Sequence, residues 1–341
     1  VLQINVFSWV PYVKDFFVVG LPLTFSFQEA MLMAGVLVLL SIFLMVNYLL
    51  QKRYQSVVFP VLTLLISLLS IPLFSINQGA LIPILFLVIT ILMCILLLLK
   101  LEKSFKAVPI LIFIFSTLAV VFSIGFQFES FRESVIGDSL TVLNPIRLGS
   151  DISWIVASSS IVNDFFRGLV GLGNDSFAIA YNAFRPATDG TIALGNTSFV
   201  TGSNEIFTVL ANRGFLGVTV WILLGFALVR VLIKNLTEEN RERNLLKSIL
   251  GFTVLFVFLG SIFLPFSFLT YFILFVLALL LLVYTNIEGE KEELLLKFWA
   301  VNIGKVSKDI NKTIEIVNWF FTVIVTLLTA VGVIFLIVKV V

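Results

Sequence analysis

Residues 87–99 read LVITILMCILLLL, an unbroken apolar run with no charge and no turn residue. In water such a stretch would have nowhere to put its surface, whereas a bilayer core accepts a helix of about 20 apolar residues. The run extends to residues 80–99. Similar segments cover 30–50, 57–75, 107–127, 205–233, 247–264, 266–285 and 317–339. Eight membrane helices follow. Residues 1–27 are less regular, because Pro11, Pro22, Lys14 and Asp15 interrupt them, and they read as a kinked ninth span or an interfacial helix. The chain begins in an apolar run without Met and ends just past another, so both ends read as trimmed, with a preceding span or a following soluble domain to be expected.

Composition agrees with the spans. Of 341 residues, 60% are hydrophobic and 12% charged, and the mean hydropathy is +1.13, values of a polytopic all-α membrane protein. The net charge of +2 gives no electrostatic support to nucleic-acid binding. There is no histidine, which removes the usual neutral-pH base and the commonest metal ligand, so metal-centred hydrolysis is not expected and no cofactor is implied. Cys94 is the one cysteine, lies mid-span and reads as an inert buried thiol.

The basic residues orient the spans. Lys52 and Arg53, then Lys100, Lys103 and Lys106, then Arg230, Lys234, Arg241, Arg243 and Lys247, then Lys291, Lys297, Lys305, Lys308 and Lys312 form four clusters. With one crossing per segment all four fall on one face, which the positive-inside rule makes cytoplasmic. The chain then divides into N-terminal membrane helices (1–127), a large external loop (128–204), C-terminal membrane helices (205–285), a cytoplasmic amphipathic segment (286–316) and a final membrane helix (317–341).

Function is to be sought in the loop. Between Gln127 and Glu205 the chain turns polar and rich in Gly and Asn, and carries Arg132, Arg147, Arg167 and Arg185 with no Lys; Arg213 follows just beyond. Guanidinium grips phosphate with a planar fork and keeps its charge, so a membrane-level arginine set suits a lipid-linked diphosphate. Eight acidic residues from Glu129 to Glu205 offer the arginines ordinary ion-pair partners as well. Residues 150–166 place Ile152, Ile155, Val156, Ser159, Val162 and Phe166 on one side of a helix capped by Ser150 or Asp151, with Trp154 at a membrane–water boundary. This predicts a short helix on the outer bilayer surface. Gly168, Gly171 and Gly173 form a turn able to approach a ligand closely, or a plain link between helices. Ser203 caps the next span and Glu205 sits at its positive dipole end. Arg213 lies eight residues into that helix, about 12 Å along it, where an arginine needs a partner, a wet cavity or a path back to the surface.

Four runs, Gly149–Trp154 (GSDISW), Gly171–Phe177 (GLGNDSF), Ser203–Phe207 (SNEIF) and Asn212–Gly217 (NRGFLG), together resemble the O-antigen ligase and polymerase superfamily of bacterial membrane glycosyltransferases over about residues 145–285. The family order is a Gly-Arg…Trp helix, a Gly-x-Gly…Phe turn and a His-Asn motif entering a span with Gly-x-x-Gly. Trp154, Gly171, Gly173, Ser203 and Asn204 are the loop-motif positions. Ser150 and Ser203 stand where the family has its arginine and histidine.

The resemblance implies a lipid-carrier glycosyltransferase-like bundle in the bacterial inner membrane, serving polysaccharide biosynthesis and cell envelope biogenesis. A glycan would pass from an undecaprenyl-diphosphate-linked donor to an acceptor on the outer face, with neither metal nor nucleotide. Arg147, Arg185 and Arg213 would then hold the diphosphate, and Glu205 or Asp151 would take the acceptor proton. Two other classes stay open. A transporter or flippase needs ionisable residues near the bilayer midplane, and the spans from 30 to 127 and 247 to 285 offer only Glu29, at an edge. A non-catalytic membrane scaffold fits the two serines.

Overall fold

Helices that are apolar on every side bury one flank against neighbours and leave the other for lipid. The computed structural model of the chain is built this way. It describes residues 27–75, 80–101, 105–128, 130–131, 148–162, 165–184, 199–237 and 241–286, and among these no strand occurs. The apolar helices are α1 (Phe27–Leu50), α2 (Val58–Ser75), α3 (Leu81–Lys100), α4 (Ala107–Gly125), α8 (Glu205–Thr237), α9 (Arg241–Gly260) and α10 (Phe268–Asn286). Between α4 and α8 lie the short helices α5 (Ser150–Val162), α6 (Phe165–Val170) and α7 (Phe177–Phe184). Among the described residues five helices are long and apolar enough to cross a membrane, the apolar parts of α9 and α10 being shorter. The chain is therefore a multi-pass helical membrane protein. Of the expected segments 1–27, 286–316 and 317–339, all but residues 27 and 286 lie outside the described residues, as do Arg147 and Arg185.

α1 is the hub. Its side chains from Ala30 to Leu49 are almost all buried, and it packs on α2, α3 and α9. Small residues let the helices close up, as membrane interfaces favour. Gly35 faces Phe256 and Gly260 faces Leu32 between α1 and α9, while Gly225 faces Phe258 and Gly251 faces Leu232 between α8 and α9. Both registers are antiparallel. They set Glu29, Glu205 and the α9–α10 turn at one end of the bundle and Lys100, Lys234 and Lys247 at the other, where Lys100 Nζ donates to the Leu236 carbonyl at 3.3 Å. Exposed Leu, Ile, Val and Phe side chains cover α3, α4 and the far part of α8.

A second, smaller core holds the loop helices to the start of α8. Val156, Ala157 and Ile161 of α5, Phe177, Ala180 and Tyr181 of α7, and Leu210 and Ala211 of α8 form it with Leu148. The helix predicted over 150–166 is thus real but differs in three ways. It ends at Val162. Its N-cap is Gly149, whose carbonyl accepts the Ser153 N–H at 2.9 Å, not Ser150 or Asp151. Its buried face is Ser153, Val156, Ala157, Ser160 and Ile161, so Ile155 and Val162 are exposed. Small side chains face inward because α5 packs closely on α8 and α7.

Candidate functional site

The site grows from a defect in α8. Its 33 residues would run about 50 Å as one rod, well beyond a hydrocarbon core of about 30 Å. Gly214 breaks it, with φ 62° and ψ −161°. A break strips the preceding carbonyls of their helical donors, and here the glycine turn after α6 supplies replacements. Leu172 N–H donates to the Ala211 carbonyl at 3.0 Å, and Gly173 N–H to the Asn212 carbonyl at 2.9 Å. The approach demands glycine on both sides. A Cβ on Gly171 (φ +78°) would lie 2.4 Å from the backbone of Asn212 and Arg213, and one on Gly214 would lie 2.5 Å from the Leu169 carbonyl. The Gly-x-Gly turn is therefore a splint for a broken helix.

Arg213 ends the short first segment of α8, before the break at Gly214. Expected partway along a continuous span, it instead sits at the break, exposed, because the helix stops there. Its Nε donates to Asn174 Oδ1 of the glycine turn at 3.2 Å, and Gly217 leaves room for its stem. A cation at this helix end meets the negative pole of the dipole favourably. Asn212 beside it accepts from Ser176 Oγ at 3.2 Å.

The start of α8 is anchored differently from expectation. Asn204 is the N-cap, its Oδ1 accepting the Phe207 N–H at 3.0 Å. Ser203, one residue too early for that role, donates its own N–H to Ser153 Oγ at 2.9 Å, and its buried hydroxyl has no hydrogen-bond partner. Trp154 on α5 is exposed and packs its ring on Phe207, centroids 5.8 Å apart.

Glu205 is 2% exposed. Beyond its place in the first turn, it clasps the α9–α10 turn. Its N–H donates to the carbonyls of Ser261 and Leu264 at 3.0 and 2.9 Å, its Oε2 accepts the Phe266 N–H at 2.7 Å, and its Oε1 accepts from the Tyr271 hydroxyl. Glu29 of α1 reaches the same turn, accepting from Ser267 N–H at 2.6 Å and Thr270 Oγ1 at 2.9 Å. Two buried carboxylates thus meet the amides of Phe266 and Ser267, just ahead of the start of α10 at Phe268, where a helix dipole favours negative charge. Trp221 stiffens the arrangement, stacking on Phe258 with centroids 5.2 Å apart, flanking Phe266 and Tyr271 edge-on, and donating to Ser261 Oγ at 3.0 Å.

These pieces enclose a cavity of ≈ 200 Å³ lined by Asn174, Asp175, Val200, Thr201, Glu205, Thr208, Val209, Asn212, Arg213, Phe266 and Tyr271. It joins one cation, two acids, two amides and a phenol from three separated stretches of chain. Of the residues predicted for the site, Glu205 and Arg213 line it. Gly171 packs against the backbone of Asn212 and Arg213, Gly173 and Asn204 adjoin the lining residues Asn174 and Glu205 in the chain, and Ser203 and Trp154 bond or pack to Ser153 and Phe207. Asp151, exposed in the first turn of α5, is not among the lining residues. Tyr271, Phe266 and Asn174 were not expected from sequence: the first two sit in an apolar run, and Asn174 reads there as part of a turn. Among the described residues no group of three or more His, Cys, Asp or Glu is placed to hold a metal ion.

Fold and site together define a multi-pass helical membrane protein with a polar cavity at a break in one of its spans. Comparisons with protein-family models, curated proteins and solved structures find no match.

Proposed function

We propose that this chain is a membrane glycosyltransferase of the O-antigen ligase and polymerase type. It moves a glycan from an undecaprenyl-diphosphate-linked donor to an acceptor at the outer face of the bacterial cytoplasmic membrane. The observation that supports this reading is the cavity itself, in which Arg213 and Glu205 line one space beside the glycine turn and the Asn-Glu helix entry, two of the four runs that carry the resemblance. The basic end of the bundle is then cytoplasmic and the cavity end faces outward.

In this mechanism the acceptor hydroxyl oxygen attacks the anomeric carbon, and the bond from that carbon to the phosphate oxygen breaks. The diphosphate leaves on its lipid with the bonding electrons. Arg213 stabilises the charge that develops there, at the rim where its guanidinium is exposed. Glu205 takes the hydroxyl proton: each of its oxygens accepts one hydrogen bond and keeps a lone pair for a ligand. Tyr271 and the Phe266 amide hold the carboxylate in place for this step. Arg147 and Arg185 are the further candidates for the diphosphate.

The test is transfer of label from a radiolabelled undecaprenyl-diphosphate glycan to an acceptor by the purified protein. Wild type turns over, and Arg213→Ala and Glu205→Gln each lose at least tenfold, about 1.4 kcal/mol of transition-state stabilisation. Inactivity of the wild type across lipid and glycan acceptors would contradict the proposal.

One observation favours a second reading, a non-catalytic scaffold. Glu205 already serves as a clasp between α8 and the α9–α10 turn, and Ser203 offers no base. On that reading Glu205→Gln lowers the melting temperature while donor binding by the folded protein stays unchanged.

A further inference from the structure

The loop helices carry apolar surface that neither core uses. Val162 is 76% exposed, Phe165 76%, Phe166 74% and Val170 61%. Val162 closes α5 and the other three belong to α6, where the Phe165 and Phe166 rings pack edge to face with centroids 5.9 Å apart. Soluble surfaces do not gather large apolar side chains at this density without a partner.

The position of α6 identifies the partner. The carbonyls of Gly168 and Leu169 press against Gly214, so α6 lies at the depth of the break in α8. Beyond the break, α8 from Phe215 to Thr237 runs about 34 Å, the length of one hydrocarbon crossing. Its own exposed side chains there include Phe215, Leu216, Val220, Leu223 and Phe226. α6 therefore sits level with the start of the lipid-facing surface of α8 and packs directly on α8. The two apolar surfaces share one boundary.

We infer that Val162, Phe165, Phe166 and Val170 form an interfacial anchor whose side chains dip into the acyl region of the leaflet at the cavity end of the bundle. The occupant of this surface is lipid, not a second protein, because the exposed apolar surface of a crossing helix continues into it at matching depth. The chain reaches Asn174 and Asp175, in the cavity wall, within a few residues of Val170. The mouth of the cavity thus opens beside the bilayer surface. The inference stands on exposure and depth and holds whether or not the cavity catalyses glycan transfer.

Single cysteines at positions 162, 165, 166 and 170, introduced into full-length Cys94→Ala protein, test it. Each is spin-labelled, reconstituted in phosphatidylcholine–phosphatidylglycerol vesicles and read for collision with oxygen and with a water-soluble nickel chelate. The expected result is severalfold greater access to oxygen than to nickel at each position, with Asp175→Cys showing the opposite preference. Nickel access at 165 and 166 equal to that at 175 would overturn the inference by placing them in water. Exclusion of both reagents would overturn it by placing them under protein. The four sites are read independently on protein that elutes as one species, so failure of one variant to fold leaves the others to decide.

Discussion

A hydrogen atom in place of a methyl group lets the glycine turn touch the broken helix. Gly171 combines positive φ with a Cβ position 2.4 Å from the Asn212 and Arg213 backbone, whereas Gly173 has positive φ with nothing within 4 Å of its Cβ. Left-handed backbone costs a non-glycine residue about 1–3 kcal/mol, and only Gly171 adds a collision with backbone that cannot swing aside. Gly171→Ala is therefore expected to lower the melting temperature of detergent-solubilised protein well beyond Gly173→Ala. Equal shifts would show that the splint does not hold α8. Both glycines are legible in the sequence as a turn, but not their target, because nothing in GLGNDSF specifies a carbonyl forty residues away. Glu205 is equally half-legible. Its place at a helix start can be read directly, while its clasp on Phe266 and Tyr271 depends on the α9–α10 turn folding back across the bundle.

At the scale of elements, α8 shows where apolar pattern suffices and where it fails. Its start and most of its length follow from hydropathy, which ends the span at 233 where the helix runs on to Thr237. Its break does not, because Asn212-Arg213-Gly214 sits inside an otherwise helical run and glycine within a span is ordinary. Length was the available signal: a polar triplet in a helix too long for one crossing. The helix entry makes a prediction by contrast. Asn204→Ala removes the cap on the Phe207 amide and is expected to cost about 1 kcal/mol. Ser203→Ala removes a hydroxyl that has no partner and is expected to leave stability unchanged or raised. Thermal denaturation of the two variants measures the difference. A larger loss in Ser203→Ala would return the capping role to Ser203.

For the whole molecule, the two ends of the bundle differ in charge in a way the sequence makes plain. Lys100, Lys234 and Lys247 collect at one end and the buried acids Glu29 and Glu205 at the other, as the antiparallel register of α1, α8 and α9 requires. In intact cells carrying Cys94→Ala, an impermeant maleimide is expected to label Asp175→Cys from outside and to spare Arg53→Cys. The reverse pattern would invert the topology. The spans and their charge asymmetry were legible because bilayer thickness and charge bias act on local composition. The cavity was not, since it is assembled from residues 174–175, 200–213 and 266–271 by packing alone. Its role is tested most directly by a donor analogue, an undecaprenyl-diphosphate sugar with a photoreactive diazirine on the sugar, crosslinked to wild-type protein and mapped by mass spectrometry. Labelling within 174–175, 200–213 and 266–271, competed by unmodified donor, is the expected result. Competed labelling confined to other parts of the chain, or none at all, would contradict the assignment of this cavity as the site of glycan transfer.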